Sequence, residues 1–233
     1  MTEAEVHVWR LSLDDPQWEL GDLEALLSDD ERTRCSHFGL EDLRRRFIVR
    51  RGLLRSILAS YRQVEPRKLR FEYGSQGKPR IVGELALESL QFNAAHSHGM
   101  ALIAVALRRD VGIDLEKIRE EVEHDEIAAR YFAPSERAFL ARQPPESRLA
   151  CFFDLWTYKE AFIKLRGGGL SIPLNGFEVQ FVPGESIARI ADLGAPPSDS
   201  AWYVQKLEAA PGLAAALAVD GLVPRITMSD WEP

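Results

Sequence analysis

The spacing of apolar residues changes along the chain, and each change marks an element. Alternation over Val6–Leu11 reads as an opening strand. A short helix is expected around Asp22–Leu27. From Asp42 to Tyr61 the apolar positions recur every three to four residues, which predicts a long helix ended by the Val-Glu-Pro stretch before Arg67. Its buried stripe is Leu43, Phe47, Leu54, Leu58 and Tyr61. Leu69–Tyr73 reads as a strand and Gly74–Pro79 as a loop. Two more strands follow, Phe92–His96 and Ala101–Leu107. The short turn Arg108-Arg109-Asp110 then leads into another strand, Val111–Glu116.

The second half loosely repeats this plan. Helices are predicted over Val122–Tyr131, Pro134–Arg142 and Arg148–Leu165, the last stopped by Gly167–Gly169. Strands are predicted at Phe177–Phe181, Trp202–Leu207 and Leu213–Val219, with an exposed loop at Gly194–Ser200. Each half then has helices packed on about three strands. The expected architecture is α+β, with two similar halves, 1–110 and 111–233, joined near residue 110.

Composition narrows the function. The chain has 233 residues, 45% hydrophobic and 28% charged, which excludes disordered, collagen-like and disulfide-framework classes. Its net charge is −7. That sum hides a segment, Arg32 to Arg70, with 12 basic residues against three acidic ones, so +9 there stands against −16 elsewhere. The balance argues against a general nucleic-acid binder and points to a small polyanionic ligand or an acidic partner. Cys35 and Cys151 are far apart and form no CxxC pair, as expected for free thiols in a reducing compartment. The N-terminal MTEAEVHVWRL has no signal-peptide pattern, and the longest apolar runs, Met100–Leu107 and Leu213–Val219, are too short to span a bilayer. A cytoplasmic protein with no membrane partner is expected.

Four stretches could carry chemistry. In Val111–Lys117 the alternation puts Val111, Ile113 and Leu115 on one strand face and Gly112, Asp114 and Glu116 on the other. Two carboxylates so placed repel unless a cation or solvent separates them. A divalent metal and a solvated polar face are both open readings, and Gly112 leaves room for a ligand. In Phe152–Leu165 an apolar arc of Phe152, Leu155, Trp156, Phe162 and Ile163 is flanked by Glu160 and Lys164, four residues apart, the spacing of a surface ion pair. Lys159 falls inside that arc, where it either snorkels or meets a buried anion. On the basic helix Arg44, Arg51, Arg55 and Arg62 form a stripe expected to be solvated. Arg46 and Arg50 lie nearer the apolar arc, so one of them is expected to meet a carboxylate or a phosphate. Finally, Phe92–His98 places His96 and Ser97 at a strand end suited to a phosphate corner. The scattered histidines and cysteines form no zinc set, and Ser97 lacks a GxSxG elbow.

Taken together, these stretches closely resemble the 4′-phosphopantetheinyl transferase superfamily, in its surfactin-type branch. Gly77-Lys78-Pro79 looks like the family's GKP and Phe92–Ser97 like its F-N-x-S-H-S. Val111–Lys117 matches (V/I)-G-(I/V)-D-x-E-x, and Trp156–Lys164 matches W-(S/T/C)-x-K-E-(A/S)-x-x-K. Asp30–Leu54 is similar to the family's basic helical region. The resemblance spans roughly residues 5 to 182. It implies a pseudo-twofold α+β fold with coenzyme A and Mg²⁺ bound between the halves. Asp114, Glu116 and Glu160 would be metal ligands, and Lys164 would hold the transferred phosphate. Arg34, Arg46, Lys78 with Pro79, His96 and Lys159 would line the coenzyme A site, with Glu136 in support. Residues 119–132 would contact an apo acyl or peptidyl carrier protein, and a monomer would suffice.

The implied reaction moves 4′-phosphopantetheine from coenzyme A to a carrier serine and releases adenosine 3′,5′-bisphosphate. Glu160 or a metal-bound water would take the serine proton. Two positions depart from the family pattern. Ala95 stands where most members have serine, and Glu31 stands in an often basic stretch. A non-catalytic coenzyme A-binding module and a Mg²⁺-dependent phosphodiesterase are the rival readings.

Overall fold

Alternation in the strands sorts their side chains between two kinds of core. The computed structural model describes residues 1–83, 89–181, 186–194 and 201–232. The first sheet contains β1 (Glu5–Ser12), β4 (Leu90–Ser97), β5 (Met100–Leu107) and β11 (Arg225–Asp230), in the order β11-β1-β5-β4. In β5, Ala101, Ile103 and Val105 face the helices α1 (Leu20–Ala25) and α3 (Glu41–Ser60). Their neighbours Leu102, Ala104 and Ala106 face the second sheet.

That second sheet runs β6-β10-β9-β8-β7 and is antiparallel throughout. Its strands are β6 (Val111–Lys117), β7 (Phe177–Phe181), β8 (Ile187–Asp192), β9 (Trp202–Lys206) and β10 (Leu213–Asp220). Val111, Ile113 and Leu115 of β6 and Ala215, Leu217 and Val219 of β10 meet the first sheet. On the other face Ala214, Ala216 and Ala218 meet α6 (Pro145–Arg166), which packs beside α4 (His124–Tyr131) and α5 (Pro134–Ala141). The order of layers is helix, sheet, sheet, helix. Both faces of β5 and β10 are buried, so each reads as an unbroken apolar run rather than an alternation.

Side chains join the two sheets at the site. Asn93 Oδ1 accepts from Ile113 N at 3.0 Å, and Ser97 Oγ accepts from Lys117 N at 3.1 Å. Both links span twenty residues, so β4 and β6 run side by side in the same direction without a backbone ladder between them. Ser97 thus joins the two strands through its oxygen.

The architecture is α+β, as the pattern predicts, with sheets of four and five strands in place of about three each. The additions are β8 and β11, and β11 pairs in parallel with β1 from the far end of the chain. A short hairpin of β2 (Arg70–Tyr73) and β3 (Pro79–Val82) stands apart from both sheets. The basic segment is two helices, because α2 (Asp29–Ser36) precedes α3.

Glu31 explains why α2 forms and docks. Its Oε2 accepts from Ser28 N at 3.0 Å at the helix start and from Arg55 Nε at 2.7 Å, while its Oε1 pairs with Arg51. Arg51 and Arg55 are thus buried beside Glu31 rather than solvated, and Leu43, expected inside, is exposed. The loop expected at Gly194–Ser200 lies, beyond Gly194, outside the described residues. Both cysteines are free thiols. Among the described residues no helix is long and apolar enough to cross a membrane.

Candidate active site

Gly112 sets how closely α6 approaches β6. A Cβ at that position would lie 2.0 Å from the carbonyl oxygen of Ala161 and 2.3 Å from Leu165 N. The space expected for a ligand is filled by the backbone of α6. The alanines of β10 extend the same low surface, since Ala218 pairs with Gly112 and Ala216 with Asp114. This close seating brings Lys164, from the last turn of α6, to Asp114. Lys164 Nζ donates to Asp114 Oδ1 at 2.6 Å. Lys164 therefore pairs across to β6 rather than along its own helix to Glu160.

Asp114 is 3% exposed, and its second oxygen, Oδ2, is buried without a hydrogen-bond partner. An orphaned carboxylate oxygen in such a place is costly unless something else occupies it. Burial pushes the carboxyl of Asp114 up, against the opposing pull of Lys164. Glu116 is raised by burial and by Asp114, and Glu160 by burial, Asp114 and Glu116. The three carboxylates therefore share one region and repel one another, with Lys164 the cation that offsets them. Among the described residues no three acidic, histidine or cysteine groups form a ready-made metal cluster. Mg²⁺ does not require one, since it binds through one or two carboxylates and completes its shell with phosphates and water. The orphaned Asp114 Oδ2 and the hard oxygen donors fit that ion.

The cleft beside this centre consists of two adjoining cavities. One, of about 280 Å³, is lined by Gln76, Lys78, Asn93, Glu160, Lys164 and Gly167 among others. The next, of about 320 Å³, is lined by Arg34, Phe47, Arg50, Tyr73 and His96 among others. Gly77, Pro79 and Ala94 belong to both and form the passage between them. A larger cavity of about 440 Å³ lies beyond Glu31 and touches none of Asp114, Glu116, Glu160 or Lys164.

The expected ligand-binding residues divide between these places. Lys78 reaches across from the hairpin, and its ammonium donates to Leu165 O at 3.0 Å and Val111 O at 3.2 Å. Burial lowers its pKa. Arg34 and His96 line the 320 Å³ cavity. Arg50 Nη1 lies 2.9 and 2.6 Å from the two ring nitrogens of His96. The confined position of His96, with the charges of Arg50 and Lys164, pushes its imidazole down to about 4, so it is neutral at pH 7.

Two residues do not join the cleft. Arg46 forms a two-pronged pair with Asp14, both bonds at 2.6 Å. Of the two arginines the sequence left open, Arg46 is the one that meets a carboxylate. Lys159 is 0% exposed, and its Nζ donates to Glu136 Oε1 at 2.7 Å and Phe177 O at 2.9 Å. Glu136 also accepts from Val179 N and Ala133 N, so the pair ties α5, α6 and β7 together. The buried anion raised as an alternative for Lys159 is a protein carboxylate, not a ligand phosphate.

Comparison with known proteins covers nearly the whole chain. Residues 110–218 match the family described as 4′-phosphopantetheinyl transferase superfamily, and residues 14–108 match 4′-phosphopantetheinyl transferase, N-terminal. The 4′-phosphopantetheinyl transferase HetI of Nostoc sp. is 40% identical over 229 residues, 98% of this chain and 90% of that one. The chain belongs to the 4′-phosphopantetheinyl transferase superfamily. Sfp of Bacillus subtilis, another 4′-phosphopantetheinyl transferase, is 30% identical over 210 residues, 89% of each chain. A solved holo-(acyl-carrier-protein) synthase of Bacillus anthracis, in complex with CoA (3′,5′-ADP), aligns over 48% of this chain and 94% of its own, at 18% identity and a TM-score of 0.41. This phosphopantetheinyl transferase thus places Asp114, Glu160 and Lys164 around one point, and Arg34, Arg50 and His96 around a second along the same cleft.

Proposed function

We propose that this transferase uses coenzyme A as donor and a serine of an apo acyl or peptidyl carrier protein as acceptor, with Mg²⁺ at Asp114, Glu116 and Glu160. The orphaned oxygen of Asp114, beside Lys164 at the end of a cleft lined by arginines, carries this reading. Bound Mg²⁺ would neutralise charge on the diphosphate. Lys164 offers its ammonium to the phosphoryl group being transferred. The serine oxygen bonds to the β-phosphorus as the bond to the bridging diphosphate oxygen breaks, and adenosine 3′,5′-bisphosphate leaves. Such a transfer needs positioning and charge stabilisation more than covalent help. Glu160, in the same acidic region, is the protein group offered to the serine proton.

The functional halves are 1–110, which supplies the phosphate-binding cavity, and 111–233, which supplies the reacting centre. Residues 119–132, including the exposed start of α4, lie directly after β6 and form the face offered to the carrier. The test is incubation with coenzyme A, Mg²⁺ and a panel of apo carriers, read by intact mass. A phosphopantetheine gain on carrier is expected. Bisphosphate release without carrier would indicate a phosphodiesterase, and binding without either product a non-catalytic module.

A further inference from the structure

The hairpin of β2 and β3 bridges the two layers of helices. Its base is held on the side of α3 and β4. Phe71 meets Phe92 of β4 with ring centres 5.8 Å apart, and Arg51 Nη2 donates to the Tyr73 hydroxyl at 2.9 Å. Its tip is held on the side of α6 and β6. A Cβ on Gly169 would lie 2.7 Å from Gln76 Oε1 and 2.9 Å from Gln76 Cβ, and one on Gly167 would lie 3.6 Å from Lys78 Cδ. The tip thus rests on bare backbone just past α6. The Lys78 ammonium lies between two elements, donating to Leu165 O of α6 at 3.0 Å and to Val111 O of β6 at 3.2 Å.

Both acceptors adjoin the reacting centre. Leu165 is among the last four residues of α6, whose carbonyls the helix cannot satisfy for itself and which favour a cation. Val111 opens β6 and precedes Gly112, where the backbone of α6 comes against that strand. Lys164 precedes Leu165, and its 2.6 Å bond to Asp114 crosses the same seam. Asp110 and Asp220 favour the ammonium form of Lys78 against the effect of burial. We propose that Lys78 is a positioning residue, which staples the last turn of α6 to the start of β6 and so sets Lys164 and Glu160 against Asp114. Two of its three N–H groups donate to protein carbonyls, so it acts on the chemistry through the helix and not as the coenzyme A ligand that the resemblance implied. The proposal rests on the reading of Asp114, Glu160 and Lys164 as the reacting centre.

The experiment compares wild type, Lys78→Met, Lys78→Arg and Lys68→Met. Lys68 is an exposed lysine paired with Glu65, so its loss controls for removing one positive charge. Turnover at saturating coenzyme A and carrier is read by carrier mass gain, and coenzyme A affinity by calorimetric titration. Backbone hydrogen exchange of the ligand-free proteins is read by mass spectrometry over residues 109–115 and 160–169. Lys78→Met is expected to lower kcat by about 10- to 100-fold, the scale of a misplacement of about 1 Å, while coenzyme A affinity changes by less than about threefold. Exchange over 160–169 should quicken by about tenfold, as expected for losing a charge-assisted hydrogen bond. Lys78→Arg keeps the charge and the donors and should restore most of the lost turnover and protection, and Lys68→Met should change neither. If Lys78→Met does not fold, Lys78→Gln, with N–H donors on a shorter stem, carries the same comparison. A loss of affinity of about tenfold with kcat kept would make Lys78 a coenzyme A ligand and overturn the proposal. Unchanged exchange over 160–169 in the variant would overturn it too. Asp114→Asn transferring at the wild-type rate would instead refute that reading of the centre, and the exchange comparison would still decide the staple.

Discussion

Replacing Gly112 with alanine tests how the reacting centre is assembled. The new Cβ would sit 2.0 Å from Ala161 O, 2.3 Å from Leu165 N and 2.9 Å from Leu165 Cα. All three are backbone atoms of α6, so no side chain can turn aside. Restoring ordinary contact needs a separation of about 3.5 Å, which moves α6 away from β6 by roughly 1 Å or more. Glu160 and Lys164 travel with that helix, and the 2.6 Å bond from Lys164 to Asp114 breaks. A displacement of that size at a reacting centre costs on the order of 100-fold in rate. The overpacking itself costs about 1–3 kcal/mol, which lowers the melting temperature by roughly 2–12 °C in a chain of this size. Gly21→Ala is the matched control, because nothing lies within 4 Å of its Cβ position and α1 continues through it. That change should be neutral or stabilising by up to about 1 kcal/mol. Turnover is measured by carrier mass gain and stability by circular-dichroism melting. Gly112→Ala with the turnover and melting temperature of wild type would refute the argument.

Other outcomes follow from the same contacts. Lys159→Met leaves Glu136 buried without its cation and should cost about 3–5 kcal/mol in denaturant titration. Its folded fraction should bind coenzyme A as wild type does, and a selective loss of affinity would return Lys159 to the cleft. Glu160→Gln should lower turnover far more than coenzyme A affinity. A variant losing only coenzyme A affinity would remove its role as base. Despite burial, Arg55 and Arg51 hold the carboxyl of Glu31 below its ordinary 4.5. A depressed folded value contributes stability that is present above pH 4.5 and lost as the pH falls through the lowered value. Glu31→Gln should therefore be less stable than wild type at pH 7 in denaturant titration, with the difference shrinking as the pH falls below 4.5; a difference that is absent at pH 7, or that does not shrink with falling pH, would refute the pairing.

The elements that assemble the centre were legible because local pattern and burial agree there. The alternation of Val111–Lys117 survives in β6, and of the two readings open for Lys159 within its apolar arc the structure takes the buried anion, which is Glu136 and not a coenzyme A phosphate. The missed parts depend on distant partners. The DDERTRCS run of α2 has almost no apolar stripe, because what it buries is Glu31 and Cys35, and its docking comes from arginines twenty residues away. Without α2, Arg51 and Arg55 read as solvated. Arg46 and Arg50 flank the same helical arc, and only the folding of Asp14 against Arg46 separates them. Strand β11 pairs with β1 across more than two hundred residues, a contact that carries no short-range signal. Gly112 was noticed for its open space, yet the sequence does not say that a helix backbone fills it.

The central claim is that Asp114 anchors Mg²⁺-dependent transfer of phosphopantetheine to a carrier serine. Intact-mass measurement of one apo carrier, incubated with coenzyme A and wild-type or Asp114→Asn enzyme, with and without Mg²⁺, tests it most directly. The account predicts a phosphopantetheine gain only with wild type and Mg²⁺, while Asp114→Asn keeps the wild-type circular-dichroism spectrum. A gain of equal rate from Asp114→Asn, or from wild type with the metal chelated, would contradict it.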